Sequence, residues 1–196
     1  NANGYASSSA VTVFNVTGVS LIGVDLVSYY GNIINYQVTL IDSALNPVSG
    51  KEIKFNINNK SYVVKTNSKG IAGVSLKLGV GVYDIVIGFN DDSSGNFVNL
   101  VKKITVKSTI DFPAATKYTF NSNYQGTLCD GQGNPLNNEE VDVVVNSVKY
   151  NLTTDSDGKF VYTIDLNPGS YVLSIIHKVT GEVKSQSVNV AARLNS

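Results

Sequence analysis

"YQVTLIDSALNPVSGKEI", residues 36–53, and "YQGTLCDGQGNPLNNEEV", residues 124–141, decide the fold when laid side by side. Tyr, Gln, Thr, Leu, Asp, Asn, Pro and Glu coincide at one spacing, 124 − 36 = 88. The register runs on without a gap: Tyr62 meets Tyr150, Thr66 meets Thr154, Gly70 meets Gly158, Gly81 meets Gly169 and Tyr83 meets Tyr171. Roughly a third of the positions from 36 to 87 match their counterparts, so the chain is an internal duplication. The spacing breaks after Ile87, where "FNDDSSGNF" lengthens the last hairpin of the first copy. Ile104-Thr105-Val106 then meets Val188-Asn189-Val190 at a spacing of 188 − 104 = 84.

These matches set the domains: 18–106 for the first repeat and 107–196 for the second, joined at the short Lys107-Ser108-Thr109. So few joining residues predict a semi-rigid pair. Within each copy, apolar residues alternate. Ile53, Phe55 and Ile57 in "KEIKFNIN", and Val141, Val143 and Val145 in "EVDVVVN", fall on one face of a strand. Helical spacing is absent. Short strands punctuated by Gly, Asn, Asp and Pro predict an all-β chain of two tandem Ig-like sandwiches, seven strands each. A sheet that is apolar on one face needs a second sheet to cover it. Residues 1–17 lie outside both copies. "SAVTVFNV" within them reads as a strand extension, with three open pairings: the last strand of a truncated preceding unit, a strand given to another molecule, or a strand of the first unit.

Bulk composition narrows the classes. Of 196 residues, 15 are basic and 15 acidic, so no net field draws nucleic acid or an anionic membrane. No apolar run is long enough to cross a membrane as a helix. The lone Cys129 excludes an internal disulfide. "NANGYASSSA" carries neither a basic start nor an apolar run, so the reading expects no intact signal peptide there and fits a mature end.

"TTDSDGKF", residues 153–160, tests for metal. Asp155-Ser156-Asp157-Gly158 resembles a calcium loop, but such a loop needs a Glu twelfth, and counting from Asp155 that position is Leu166. In the first copy Lys69 stands where Asp157 stands, and an ammonium repels a divalent cation. A hairpin-type turn with Gly at positive φ explains both loops, so no metal and no cofactor is expected.

The pieces D-x-x-x-N-P, T-[ND]-x-x-G and G-x-Y, present in both copies, resemble the Ig-like repeats of archaeal, methanogen-type adhesin-like surface proteins. More loosely, they are similar to invasin-type bacterial Ig-like repeats and to prealbumin-like modules of Gram-positive adhesins. The resemblance implies a β-sandwich at the cell surface used as stalk, spacer or adhesive module. It implies no ligand.

Three N-x-[ST] sequons, at Asn15, Asn59 and Asn151, are candidate glycan acceptors, with Asn59 placed in a hairpin turn. Lys117 and Asn189 are the one pair that could form an intramolecular isopeptide bond; Tyr29 and Thr105 replace them in the first copy. Cys129, opposite Ile41, reads as a small core hydrophobe, and His177 has no nucleophile elbow beside it. Glu139 and Glu140 point to opposite faces of a strand and cannot flank one bond. Enzyme activity is therefore not expected. The Tyr of each G-x-Y, Tyr83 and Tyr171, is read as a buried tyrosine-corner residue, the alternative being an aromatic that contacts sugar. Lys102, Lys103 and Lys107 are read as guards of an edge strand, and "SVNVAAR" as a more receptive edge.

Three readings of function follow. The first is an extracellular structural or adhesive shaft, glycosylated at the surface, with protein subunits, surface components or glycans as partners. The second is a filament or pilus subunit, a homopolymer in which residues 1–17 join a neighbour's sheet. The third is a carbohydrate-binding module of a secreted protein. Without Trp, that module would need Tyr29, Tyr30 and Tyr118 as its aromatic platform.

Overall fold

The computed structural model describes residues 18–91 and 95–192. The strand pattern of residues 8–16 and the Asn15 sequon lie outside that range. Sixteen strands and no helix are present among the described residues. The first repeat holds β1 (Val19–Ile22), β2 (Leu26–Tyr29), β3 (Ile34–Asp42), β4 (Glu52–Ile57), β5 (Lys60–Lys65), β6 (Ile71–Leu76), β7 (Gly81–Asp91) and β8 (Asn96–Lys107). The second holds β9 (Ile110–Asp111), β10 (Lys117–Thr119), β11 (Asn123–Leu128), β12 (Glu140–Val145), β13 (Val148–Thr153), β14 (Lys159–Thr163), β15 (Gly169–His177) and β16 (Val183–Ala191).

Each repeat is a sandwich of a three-stranded and a five-stranded sheet. The orders are β1-β3-β6 against β2-β8-β7-β4-β5, then β9-β11-β14 against β10-β16-β15-β12-β13. Eight strands stand where seven were expected, because the first strand of each copy changes sheets. β1 pairs antiparallel with β3, and after Gly23-Val24-Asp25 the chain continues as β2, parallel to β8. The switch in the second copy is longer, from Asp111 to Lys117, and contains Pro113.

The alternation read from sequence builds the cores. Ile53, Phe55 and Ile57 are sealed against Ile85, Ile87 and Ile104 in the first sandwich. Val141, Val143 and Val145 meet Leu173, Ile175 and Val188 in the second. Truncating a side chain as enclosed as Phe55 to Ala costs about 3–5 kcal/mol in lost transfer energy and cavity. The two apolar clusters share no residue: the first runs from Leu21 to Val106, the second from Ile110 to Val190.

Two expectations about edges are corrected. β8 lies between β7 and β2, and β2 covers it from Ile104 to Lys107, so Lys107 is not at an edge; Lys102 and Lys103 lie ahead of that ladder, where Asp25 Oδ1 accepts the Lys103 N–H. β16, the "SVNVAAR" strand, is likewise interior, flanked by β10 and β15. The short strand created by the sheet switch is what covers them, and the first strand's double pairing is not visible in an alternation pattern.

Candidate functional site

The signature pieces are parts of one corner in each repeat. Asp42 Oδ1 accepts the N–H groups of Ala44 (2.9 Å) and Asn46 (2.8 Å). Asp130 Oδ1 does the same for Gln132 (2.8 Å) and Asn134 (2.9 Å). The hydrogen bond from the Asn46 backbone, and the one from the Asn134 side chain, lead the causes holding these two carboxyls below the ordinary range. Pro47 and Pro135 then bridge back to Ile41 and Cys129.

The second turn packs on this loop. Gly70 (φ 70°) and Gly158 (φ 72°) sit so close to it that an added Cβ would lie 2.5 Å from the Leu40 carbonyl oxygen, or 2.4 Å from that of Leu128. The Asp155 carboxylate is spent within the turn: its Oδ1 accepts from Asp157 N at 3.0 Å and Lys159 N at 2.9 Å. Asn67 plays the same part toward Lys69 and Ile71. Thr66 and Thr154 accept from Lys51 N and Glu139 N, both at 3.0 Å. The motif is a self-satisfied β corner.

The G-x-Y tyrosines form the other corner: Tyr83 donates to Gly79 O (3.1 Å) and Tyr171 to Asn167 O (2.9 Å). Both are half-buried, packed on the rim of the core, where burial had been expected. The polar tip reaches its carbonyl partner at the surface, so the ring cannot go deeper.

The junction between repeats is the most heavily constructed place in the chain. Glu182 is buried to 4% exposure, yet its carboxylate accepts from Thr109 N (2.7 Å), Thr109 Oγ1 (2.7 Å) and Ser108 Oγ (2.6 Å). It grips the linker itself. Beside it, Asn32 Nδ2 of the first repeat donates to Gly131 O of the second at 2.7 Å. Cβ atoms added at Gly131 and Gly133 would come 2.4 Å from Asn32 Oδ1 and 2.3 Å from the Tyr29 hydroxyl. His177 is fully buried here, with Nε2 3.1 Å from Cys129 O. Sequence reasoning missed Glu182, Asn32 and the two glycines; the visible trace was "DGQGNP" against "DSALNP".

The remaining candidates divide. Asn59 sits exposed at the β4–β5 turn with φ 58°. Asn151 Nδ2 donates to Asp142 Oδ1 at 3.0 Å, beside Lys149 and Lys178. Burial raises the Asp142 pKa, but Asn151 and the two ammonium groups outweigh it and leave the carboxyl below its usual range. Lys117 and Asn189 are indeed register partners in the β10–β16 pair. Both are exposed, whereas an isopeptide bond needs a desolvated lysine with a buried acid beside it. Cys129 is half-buried, not core; it stands just past the end of β11, bridged to Pro135. The tyrosine platform is not assembled: Tyr30 and Tyr118 pack against separate cores, and Tyr29 lies at the junction. Among the described residues no helix is long and apolar enough to cross a membrane.

No protein-family model matches the chain, and no curated protein matches it. Among solved structures, the fibronectin(III)-like modules of Clostridium thermocellum CbhA are similar at 16% identity and a TM-score of 0.32, over 91% of this chain and 97% of that one. Invasin, a bacterial integrin-binding protein, is similar at 19% identity and a TM-score of 0.35, over 91% of this chain but 40% of its own. Titin Ig tandem domains are similar at 14% identity and a TM-score of 0.36, over 90% and 97%. The strand order and the two separate cores make the fold all-β, two tandem Ig-like sandwiches.

Proposed function

We propose that this chain is an extracellular Ig-like repeat protein, a structural and adhesive section of a cell surface, without enzymatic activity. The observation that carries the reading is the Glu182 clamp on Ser108 and Thr109, reinforced by the Asn32–Gly131 contact. A buried carboxylate closed on a linker has no use in two modules that merely share a chain. It has one where the spacing and orientation of modules are the product, as in a shaft. Burying that charge is tolerable because three donors satisfy it. Proteins, surface components or glycans are its partners, and the repeats' resemblance to archaeal adhesin-like proteins supports an archaeal source.

Two measurements test the reading. Antibodies against the chain should label intact cells of the source organism, and protease applied outside should remove the signal. Antigen confined to the cytosol overturns the proposal. Residual dipolar couplings should fit both repeats with one alignment tensor, whereas independent tensors would remove the shaft argument.

A further inference from the structure

The outer faces of the two five-stranded sheets occupy equivalent places and are built in opposite ways. In the first repeat, Lys54 on β4 pairs with Val63 on β5 and Gly88 on β7. In the second, the same positions hold Asp142, Asn151 and Ile176. Ile176 fills the space above the sheet, and Asp142 is covered by Lys149 and Lys178. In the first repeat Gly88 has no side chain at that position, and the Phe97 ring reaches over it instead. The result is a hollow of about 520 Å³, a volume in the range of small-ligand sites.

Its walls have a definite chemistry. The longer β7–β8 hairpin supplies Phe97, which has no counterpart in the second copy and is 63% exposed. Its ring lies over the glycine floor: a Cβ on Gly88 would come 3.1 Å from it. Lys51, Lys54 and Lys65 line the hollow with one acid, Glu52, so its charged lining is 3 − 1 = +2. In the second repeat the three lysines become Glu139, Asp142 and Thr153.

We propose that this hollow binds an acidic carbohydrate, carboxylate-bearing sugar rings laid against Phe97 with their carboxylates among Lys51, Lys54 and Lys65. The lysines select an anion. The floor decides between a sugar and an acidic peptide. β4 and β7 are paired on both sides; β5, whose Val63 and Lys65 also line the hollow, is an edge strand, but its unpaired groups point out in the plane of the sheet, so an added strand would lie beside the hollow and not in it. What the hollow offers is the exposed side of the Phe97 ring and ammonium donors, of which Lys65 lies 3.8 Å from Glu52, and these suit a ring with polar edges. This names a ligand for the adhesive reading above but does not need it: surface labelling can succeed while binding fails, and the reverse.

The test titrates the full chain with a galacturonic acid oligosaccharide, followed by amide chemical shifts. Neutral galactose oligosaccharide and poly-glutamate of matched length are run beside it. Saturable binding is expected, with shifts confined to Lys54, Val63, Gly88 and Phe97, and at least tenfold weaker binding of both comparators. Gly88→Ile, which copies the second repeat, should lower affinity tenfold or more. Phe97→Ala, at an exposed position that leaves folding intact, should do the same. Ile176→Gly in the second repeat should change nothing in the first. Equal binding of the neutral sugar, equal or tighter binding of poly-glutamate, shifts spread over all lysines, or no saturation would each overturn the proposal.

Discussion

The loop Asp42–Pro47 and the loop Asp130–Pro135 are the same object in two settings. Each is closed by an aspartate accepting two backbone N–H groups, and each places its fourth residue at positive φ: Leu45 at 66°, Gly133 at 89°. Leu45 is 76% exposed. Gly133 lies under Tyr29, and Gly131 under Asn32. Left-handed backbone costs a leucine about 1–2 kcal/mol and a glycine almost nothing. The hydrogen-bonded frame therefore does not demand glycine, since the first repeat survives without it. The junction demands it. Glycine at 131 and 133 is explained by the approach of the other repeat, and a Leu45-type tip could not receive a Tyr29-type neighbour.

That comparison can be broken in graded ways. Gly70→Ala and Gly158→Ala strike the shared frame, where positive φ and a carbonyl at about van der Waals overlap both oppose a methyl. Each should cost roughly 2–4 kcal/mol in its own repeat by denaturant melts. A large effect in one repeat only would refute a common frame. Glu182→Ala should follow, removing three bonds from buried donors at about 2–3 kcal/mol, with loss of the single alignment tensor. Gly133→Leu should leave each core intact but separate the repeats, seen as a longer maximum dimension in X-ray scattering. If scattering is unchanged, the junction is not what fixes glycine there.

Acid acts on both loops alike. Asp42 and Asp130 have folded pKa values below the unfolded one, near 3.9. Their contribution is complete above that value and disappears as pH falls through the lowered folded values. The melting temperature should therefore decline below about pH 4. Asn134→Ala should shrink that decline in the second repeat, because it removes the first cause of the Asp130 shift. The smallest effect is a gain: Leu45→Gly should stabilise the first repeat by up to about 1 kcal/mol, relief of φ strain less the entropy of a freer unfolded chain.

How much of this could be read beforehand follows from what sequence encodes locally. Ile53, Phe55 and Ile57 announced their face because a strand repeats every two residues. The turn from Asp155 to Gly158 was legible because the first repeat carries Lys69 where Asp157 stands. The sheet switch was not, because Val19–Ile22 and Leu26–Tyr29 look like one strand until their different partners are known. Glu182 was invisible for the same kind of reason: its partners Ser108 and Thr109 lie more than seventy residues away, and a lone glutamate in a hairpin has no pattern. The hollow beside Phe97 needed both the glycine floor on β7 and the hairpin that reaches over it.

The parallel pairing of β2 with β8, and of β10 with β16, bears on how the chain meets tension. Pulling a repeat from its two ends drags its entering and leaving strands in opposite directions along their common axis. The rungs between them are then strained together instead of opening one after another. The chain would thus resist as a unit at each sandwich, and Asp25, which caps the Lys103 N–H at 2.9 Å just ahead of the first rung, adds one more bond to that set.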